Sequence, residues 1–241
     1  MIGMFLFIFI ILGLLMLLEA SSSLIRAEGY RLARPDASMT LVNAVNIGSR
    51  TLVALLLPGI GLIADLGYAP LAWYEITLFQ CVIPIGVGLA IISRNFLTRL
   101  AHGRLLGLMK SGSLFFKSHS HTVRKGSDEA RKRKIRWKLF SKFYLFFAFA
   151  YLPHYLIWTL LILVLPHFPD YRATIIALTS VFNGANTLLV TLYFDPAIVG
   201  YARRRRVIPG ILEDMMLARL VSGLMSVVSI GLISFLIDNA I

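Results

Sequence analysis

Six long runs of apolar residues, nearly free of charged side chains, constrain this chain more than any other feature. A helix needs about 20 apolar residues to cross the hydrocarbon core of a bilayer. Only 15% of the 241 residues are charged and 58% are hydrophobic, which is too apolar for a soluble domain. The sequence therefore predicts an all-α, polytopic membrane protein, with residues 1–241 forming a single transmembrane domain of six transmembrane helices. The predicted spans are 2–18, 39–64, 71–93, 143–165, 173–194 and 215–237.

The basic residues predict how these helices are oriented. The chain carries a net charge of +12, and 21 of its 24 Lys and Arg residues fall in three connections on one side of a six-span arrangement. Arg172 alone lies on the other side, while Arg50 and Arg219 lie inside spans. Basic connections mark the cytoplasmic side of a membrane protein, so both termini are predicted to face outward.

The longest connection, residues 94–142, holds fourteen of these basic residues. It is predicted to be a cytoplasmic segment near anionic membrane lipids, with room for amphipathic helices between spans three and four. Nucleic-acid binding is the alternative for such a basic segment. A polytopic chain disfavours it, so no nucleic-acid partner is expected.

Charged residues inside a span identify the positions that face protein or water, because a charge at mid-bilayer costs about 2.5–3.5 kcal/mol. Arg50 lies about halfway along the second span, and Asn43 and Asn46 precede it at helical spacing. These three residues form a polar stripe. Arg219 lies only ~6 Å inside the last span at 1.5 Å per residue.

The last two spans also carry a polar side each, and two glutamates lie at span ends as candidate counter-ions for the arginines. For the serines near Gly223, hydrogen bonding between helices is the preferred interpretation. For the arginines, pairing with Glu19 or with carbonyl groups remains the alternative to ligand binding. The polar residues are Thr179, Asn183 and Asn186 in span five, Arg219, Ser222, Ser226 and Ser229 in span six, and Glu19 and Glu75.

A guanidinium framed by amides is suited to an anionic ligand. Its five donors can make two parallel charge-assisted hydrogen bonds to the oxygens of phosphate or pyrophosphate. Packing between helices rarely needs a permanent cation. We therefore expect Arg50 and Arg219, together with Asn43, Asn46, Asn183 and Asn186, to bind an anionic amphiphile.

Three further features concern helix shape and symmetry. Pro58 and the neighbouring glycines predict a bend in the helix that carries Arg50. His154, which follows Pro153, is interpreted as a packing residue. GSRTLVALL, from Gly48, and GANTLLVTL, from Gly184, echo each other. That echo is compatible with two inverted three-helix halves, an arrangement common in transporters.

Several stretches of the chain resemble the Amj family of alternate lipid II flippases of bacteria. They cover the first two and last two spans, about half the chain, while the middle with residues 94–142 has no such resemblance. The stretches are EASSSLIRAEGYR (19–31), LVNAVNIGSRTL (41–52) followed by PGIG, YRATIIALTSVFNGANT (171–187), FDPAI (194–198) and ARLVSGL (218–224).

The resemblance implies a flippase of the bacterial cytoplasmic (inner) membrane. Its substrate would be an undecaprenyl-pyrophosphate-linked peptidoglycan precursor, moved from the inner to the outer leaflet. No cofactor and no metal are implied. The motif residues carried over as substrate-binding candidates are Glu19, Arg26, Asn43, Ser49, Arg50, Asn183 and Arg219.

Other classes of function are less well supported by the residues. The chain has no GxSxG elbow, no HExxH pair and no Walker A loop, and its single cysteine, Cys81, excludes a thiolate zinc site. The sequence therefore predicts that the protein is not an enzyme. The alternatives to a lipid II flippase are a transporter of another anionic prenyl-linked glycan lipid and a non-catalytic subunit of a membrane assembly.

Overall fold

The chain folds as a helical bundle, in which the described residues form helices and no strand. The computed structural model describes residues 2–66, 72–112, 142–194, 196 and 208–240. The helices are α1 (Ile2–Arg31), α2 (Pro35–Asp65), α3 (Trp73–Gln80), α4 (Val82–Ile92), α5 (Arg94–Ser111), α6 (Lys142–Val164), α7 (Arg172–Leu189) and α8 (Ile208–Ala240). Two 3-10 turns, Leu165–His167 and Pro169–Tyr171, precede α7, and a π-helical turn, Val190–Phe194, follows it.

Six helical segments of the described chain are long and apolar enough to cross a membrane. They coincide with the six apolar runs, so the described residues confirm the predicted all-α class and the six helices of membrane-spanning length. This is the architecture of a multi-pass membrane protein. The third segment consists of α3 and α4, which meet at Cys81. The segments are Gly3–Arg31, Pro35–Asp65, Trp73–Ile92, Tyr144–His167, Pro169–Phe194 and Gly210–Asn239.

The outer surface of the bundle is apolar, as a surface covered by acyl chains must be. Leu78, Ile47 and Val228 are 70%, 66% and 64% exposed, and they lie on three different helices. Apolar patches of this extent are rare on soluble monomers, where water would contact them. The core lies around α1 and α6, with Leu12, Leu15, Trp158 and Tyr155 fully buried.

Helix α1 is longer than the sequence predicted, because it continues past residue 18 to Arg31. The turn that follows is tight. Ala33 has a φ of 56°, and the Arg34 N–H donates to the Gly29 carbonyl at 2.8 Å. A Cβ on Gly29 would lie 2.2 Å from the Ser38 Cβ, so this position needs glycine. Glu19, expected at the end of the first span, instead lies well inside α1.

Charged side chains tie the helices together at both ends of the bundle. At the end we call the basic end, Arg31 of α1 pairs with Glu28 at 3.1 Å and with Glu213 of α8. His102 of α5 places its Nδ1 2.6 Å from an oxygen of Glu28. At the opposite end, Arg172 at the start of α7 pairs with Asp65 at the end of α2.

One sequence interpretation of an individual residue is corrected here. Glu75 pairs with no arginine among the described residues, and its carboxylate instead accepts the Ala72 N–H at 3.0 Å in the first turn of α3. Helix α2 is continuous from Pro35 to Asp65, through Pro58. The proline nitrogen has no hydrogen to donate to the carbonyl of Ala54, and the bend expected at this position stays a prediction.

The basic connection 94–142 begins as helix, because α5 covers its first part. Ala101 and Leu105 are buried against the bundle, whereas Phe96 is 66% exposed. Residues 113–141 lie outside the described residues, so the prediction of a lipid-facing basic segment stays a prediction.

The interpretation of the span-six serines as contacts between helices is confirmed for Ser226. The Gln80 amide nitrogen donates to the Ser226 hydroxyl at 2.6 Å and to the Tyr155 carbonyl at 3.2 Å, while Thr159 donates to the Gln80 oxygen. The side chains of Gln80, Thr159 and Ser226 are fully buried. Sequence reasoning did not single out Gln80, which joins α3, α6 and α8.

Glycine allows α4 to pack closely on α1, and this contact can be tested. A Cβ on Gly86 would lie 2.8 Å from both the Gly13 carbonyl oxygen and the Met16 Cβ, whereas nothing lies within 4 Å of a Cβ on Gly88. Because overpacking a tight contact costs about 1–3 kcal/mol, Gly86→Ala should lower the free energy of unfolding by about that amount. Gly88→Ala, two residues along the same helix, is the matched control and should not.

Thermal unfolding of both variants in detergent measures the difference. Equal stability of the two variants would contradict the close contact of α4 with α1.

Candidate functional site

A polar cavity lies at mid-height in this otherwise apolar bundle. Its volume is about 310 Å³, near the lower limit of about 300 Å³ for small-molecule pockets. Five helices form its walls, namely α1, α2, α6, α7 and α8. We call it the central cavity; its lining residues are Glu19, Ser22, Asn46, Ser49, Arg50, Val53, Tyr151, His154, Asn183, Asn186, Thr187 and Arg219.

The central cavity brings together most of the residues that the sequence predicted to bind substrate. Their separation along the chain is large, and folding alone makes them neighbours. Their role in binding stays a prediction. The predicted residues that line the cavity are Glu19, Asn46, Ser49, Arg50, Asn183, Asn186 and Arg219.

Two predicted residues do not line the central cavity. Asn43 is exposed one turn before Asn46, on the basic-end side of α2. Arg26 is half-buried on α1, nearly two turns beyond Glu19 toward the basic end. Helical spacing predicted Asn43 and the family resemblance predicted Arg26, and both residues lie nearer the basic end than the central cavity does.

Arg50 lies at the middle of α2, where a charge is most costly. It is the sixteenth of 31 residues, so ~22 Å of helix separate it from either end. Its side chain is exposed, and among the described residues it makes no hydrogen bond or ion pair. The guanidinium is therefore not held by a counter-ion among the described residues, and all five of its donors are available to the cavity.

Arg219 is held differently from Arg50. It is 6% exposed, and its Nη2 donates to the Tyr151 hydroxyl at 2.6 Å. The guanidinium carbon also lies 4.3 Å from the centroid of the Tyr151 ring, a cation–π distance. Its Nε and Nη1 have no hydrogen-bond partner within the described part of the chain. A buried guanidinium with two unpartnered nitrogen atoms, which together carry three N–H groups, is suited to receive an anion.

The depth of Arg219 differs from the sequence estimate. Helix α8 begins at Ile208, before the last apolar run, so Arg219 is its twelfth residue. At 1.5 Å per residue, ~16 Å of helix lie between it and the start of α8. Arg219 is therefore deep in the bundle, near the level of Arg50.

Glu19 and His154 form a hydrogen-bonded cluster with Asn183 on the cavity wall. The Nε2 of His154 lies 3.0 Å from a Glu19 oxygen, and the Nδ1 lies 2.6 Å from the Asn183 amide oxygen. The interpretation of His154 as a packing residue is wrong, since three helices meet at its ring. Its partners are on α1 and α7, far away in sequence, and no local pattern connects them.

Tyr151 is the other cavity residue that sequence reasoning missed. It lies one turn before His154 on α6, and the two rings are 6.3 Å apart. The only sequence signal was this spacing of three residues, which places two polar side chains on one face of an apolar helix. Tyr151 supplies both an acceptor and a π-face to Arg219.

One wall of the cavity is a single, mostly uncovered helix. Helix α7 packs mainly against α6, and only a small part of it is buried in the bundle. Asn183, Asn186 and Thr187 line the cavity, while Val181 and Leu188 are 63% and 59% exposed on the outside. Helix α7 therefore separates the polar cavity from the lipid-facing surface by the thickness of one helix.

No protein-family model, no curated protein and no solved structure matches this chain.

Accessibility of the central cavity to water can be tested with two adjacent residues of α2. In a chain whose native thiol is removed by Cys81→Ser, we expect Asn46→Cys to react readily with an anionic methanethiosulfonate, because polar side chains and two guanidinium groups line the cavity and should admit water and attract the reagent. Ile47→Cys should react slowly, because Ile47 is 66% exposed on the lipid-facing side and the thiolate that reacts forms in water. Labelling rates in intact membranes measure the difference. Equal labelling rates for the two cysteine variants would contradict a cavity that is open to water on one side of α2 only.

Proposed function

We propose that this protein is a lipid flippase that moves an anionic polyprenyl-pyrophosphate-linked glycan, of the lipid II class, across the bacterial cytoplasmic membrane. The observation that carries the proposal is the pair of guanidinium groups, Arg50 and Arg219, on the wall of one cavity at mid-height in an apolar bundle. Lipid II as the substrate rests on the resemblance to the Amj family. The charge and depth of the cavity support an anionic amphiphile independently of it.

The donors of the cavity fit the pyrophosphate part of such a lipid. The five N–H donors of Arg50 and the three on Nε and Nη1 of Arg219 have no partner among the described residues, and the amides of Asn46 and Asn186 line the same cavity. A cavity of about 310 Å³ is of a size for pyrophosphate and too small for a disaccharide–pentapeptide. The glycan must therefore extend toward one end, so transport requires the cavity to open alternately toward the two ends.

The seam between α2 and α7 is the proposed route for the prenyl tail. Gly61 approaches Ile176, and Asp65 pairs with Arg172, both toward the end opposite the basic end. The rest of the seam passes the cavity at Arg50 and Asn186. A lipid whose head group lies in the cavity can keep its tail among the acyl chains by extending it through this seam.

Two inverted halves are part of the same proposal. Helices α2 and α7 run in opposite directions, because the start of α7 pairs with the end of α2 through Arg172 and Asp65. Arg50 and Asn186 occupy equivalent positions in the two echoing segments that begin at Gly48 and Gly184, and both line the cavity. An inverted repeat would make the two end states of transport nearly equivalent.

The membrane potential is a sufficient driving force in this proposal. With the basic end on the cytoplasmic side, a dianionic head group moves away from a negative interior. Each charge gains about 2.3 kcal/mol per 100 mV, so two charges gain about 4.6 kcal/mol, a bias of roughly a thousandfold. No nucleotide hydrolysis is needed, and the protein acts as a transporter rather than an enzyme.

Arg50→Ala should abolish flipping because it removes the unpaired guanidinium at mid-height. Loss of the charged partner of an anion enclosed in the cavity costs about 2–5 kcal/mol, which corresponds to a loss of about 30-fold or more. Cells depleted of their principal lipid II flippase, with this gene as the only rescue, provide the assay. The readouts are growth and the amount of lipid II that added colicin can reach on the outer leaflet.

Arg99→Ala is the matched control, since Arg99 is an exposed arginine on α5 that does not line the cavity. It should support growth like the wild type. Normal exposure of lipid II in cells that carry Arg50→Ala would reject the proposed function. Failure of the wild-type gene to rescue flipping would reject lipid II as the substrate.

A further inference from the structure

His154 is the one histidine of the described residues that lines the central cavity, and both of its ring nitrogens contact oxygen atoms. Nδ1 is 2.6 Å from the Asn183 amide oxygen, and Nε2 is 3.0 Å from a Glu19 carboxylate oxygen. The residue is 5% exposed. Buried polar groups of this kind normally have every donor and acceptor matched, so the contacts report on the protonation of the ring.

With the Asn183 amide oxygen facing the ring, the hydrogen-bond pattern matches a His154 ring that carries one more proton than neutral histidine. A neutral imidazole donates from one nitrogen only, whereas an ionised carboxylate and an amide oxygen both accept. Two oxygen partners are therefore satisfied together by the imidazolium, with N–H groups on both sides. Loss of one proton, with rotation of the Asn183 amide so that its NH₂ group faces Nδ1, would satisfy the neutral ring equally well.

The two states differ by one proton and by the orientation of a side chain on α7, the least covered helix of the bundle. Charged groups near the ring favour different states. Glu19 on α1 stabilises the imidazolium, while Arg219 on α8 and Arg50 on α2 oppose it. From α7 the ring faces neutral amides, and its own helix adds Tyr151 and Tyr155.

An anion in the central cavity changes this balance. It would lie beside Arg50 and Arg219 and offset their repulsion of the imidazolium, so the anion and the proton favour each other's binding. Coupling of this kind is reciprocal, because protonation must raise the affinity for the anion by the same factor. Neither ligand needs to touch the other for the coupling to operate.

We propose that Glu19, His154 and Asn183 form a proton-binding site that is coupled to the anion site, so that each anionic head group is carried together with one proton. The inference rests on the proposed function and adds a co-substrate to it. Co-transport of one proton reduces the charge that crosses the membrane with a dianionic head group from two to one, and it therefore halves the drive that the membrane potential supplies to the head group alone.

Binding of a P1,P2-dialkyl pyrophosphate to the purified full-length chain in nanodiscs tests this proposal. The probe carries two negative charges and has no group that titrates near neutral pH, so any pH dependence belongs to the protein. Calorimetry in two buffers with different ionisation enthalpies gives the affinity and the number of protons taken up.

For the wild type we expect proton uptake on binding, approaching one per anion above the pH at which His154 titrates. The affinity is then highest at low pH and falls as pH rises, approaching about tenfold per pH unit for one linked proton. His154→Gln should remove the proton uptake and flatten the pH profile. His102→Gln is the matched control, since His102 is also bonded to a glutamate, Glu28, but lies at the basic end.

Glu19→Gln provides a second variant with conserved size. It removes the charge that stabilises the imidazolium, so the fall in affinity for the anion should move to lower pH. Loss of a hydrogen bond with a structural role alone would not shift the pH profile. Equal wild-type affinity at all pH values, without proton uptake, would overturn the proton site and leave the flippase proposal intact. No binding by the wild type, or unchanged binding by both Arg50→Ala and Arg219→Ala, would overturn the proposed function itself.

Discussion

The cost of a guanidinium at the middle of an apolar bundle is the constraint on which the rest of this structure depends. Arg50 lies ~22 Å from either end of α2, too far for its side chain to reach water at a membrane surface. The bundle accommodates it with a cavity of about 310 Å³ whose walls carry amides and hydroxyls. The helices have a polar stripe on an otherwise apolar surface, so their apolar faces can contact acyl chains while the stripe faces the charge in the cavity.

The packing of the helices explains why the cavity lies on one side of the bundle. Helix α1 packs tightly on α4 and α8 packs on α4, with Gly86 and Gly223 leaving no room for a larger side chain. The buried contacts of Gln80 with Ser226 and Thr159 join α3, α6 and α8 in the same region. Helix α7 packs mainly on α6, and in the described part of the chain its polar contacts with other helices are those of Asn183 with His154 and of Arg172 with Asp65. Helix α7 is therefore the wall of the central cavity that is most easily displaced, and it lies next to the charged residues.

The two arginines differ in how firmly their side chains are positioned for binding an anion. Arg219 is oriented by the hydroxyl and ring of Tyr151, so part of its donor set is fixed in advance. Arg50 has no such support among the described residues and can adapt its position to a ligand. Glu19 forms no ion pair with either arginine in the described part of the chain and instead contacts His154. The cavity therefore keeps an excess of positive charge, which is the condition for both the flippase proposal and its coupling to a proton.

The sequence by itself determined the class of the fold, the six spans and most of the polar positions. Apolar run length and helical spacing are local properties of the sequence. An amide or a charge in an apolar run is costly wherever the run lies, and this cost identifies Asn46, Arg50, Asn183 and Asn186. Only the tertiary structure decided which of these residues share a cavity, that Asn43 and Arg26 lie outside it, and that Glu19 belongs to it. The same is true of His154 and Tyr151, whose significance comes from Glu19, Asn183 and Arg219 on other helices. Contacts between residues 135 or 68 positions apart depend on how the helices pack, and no local pattern records that.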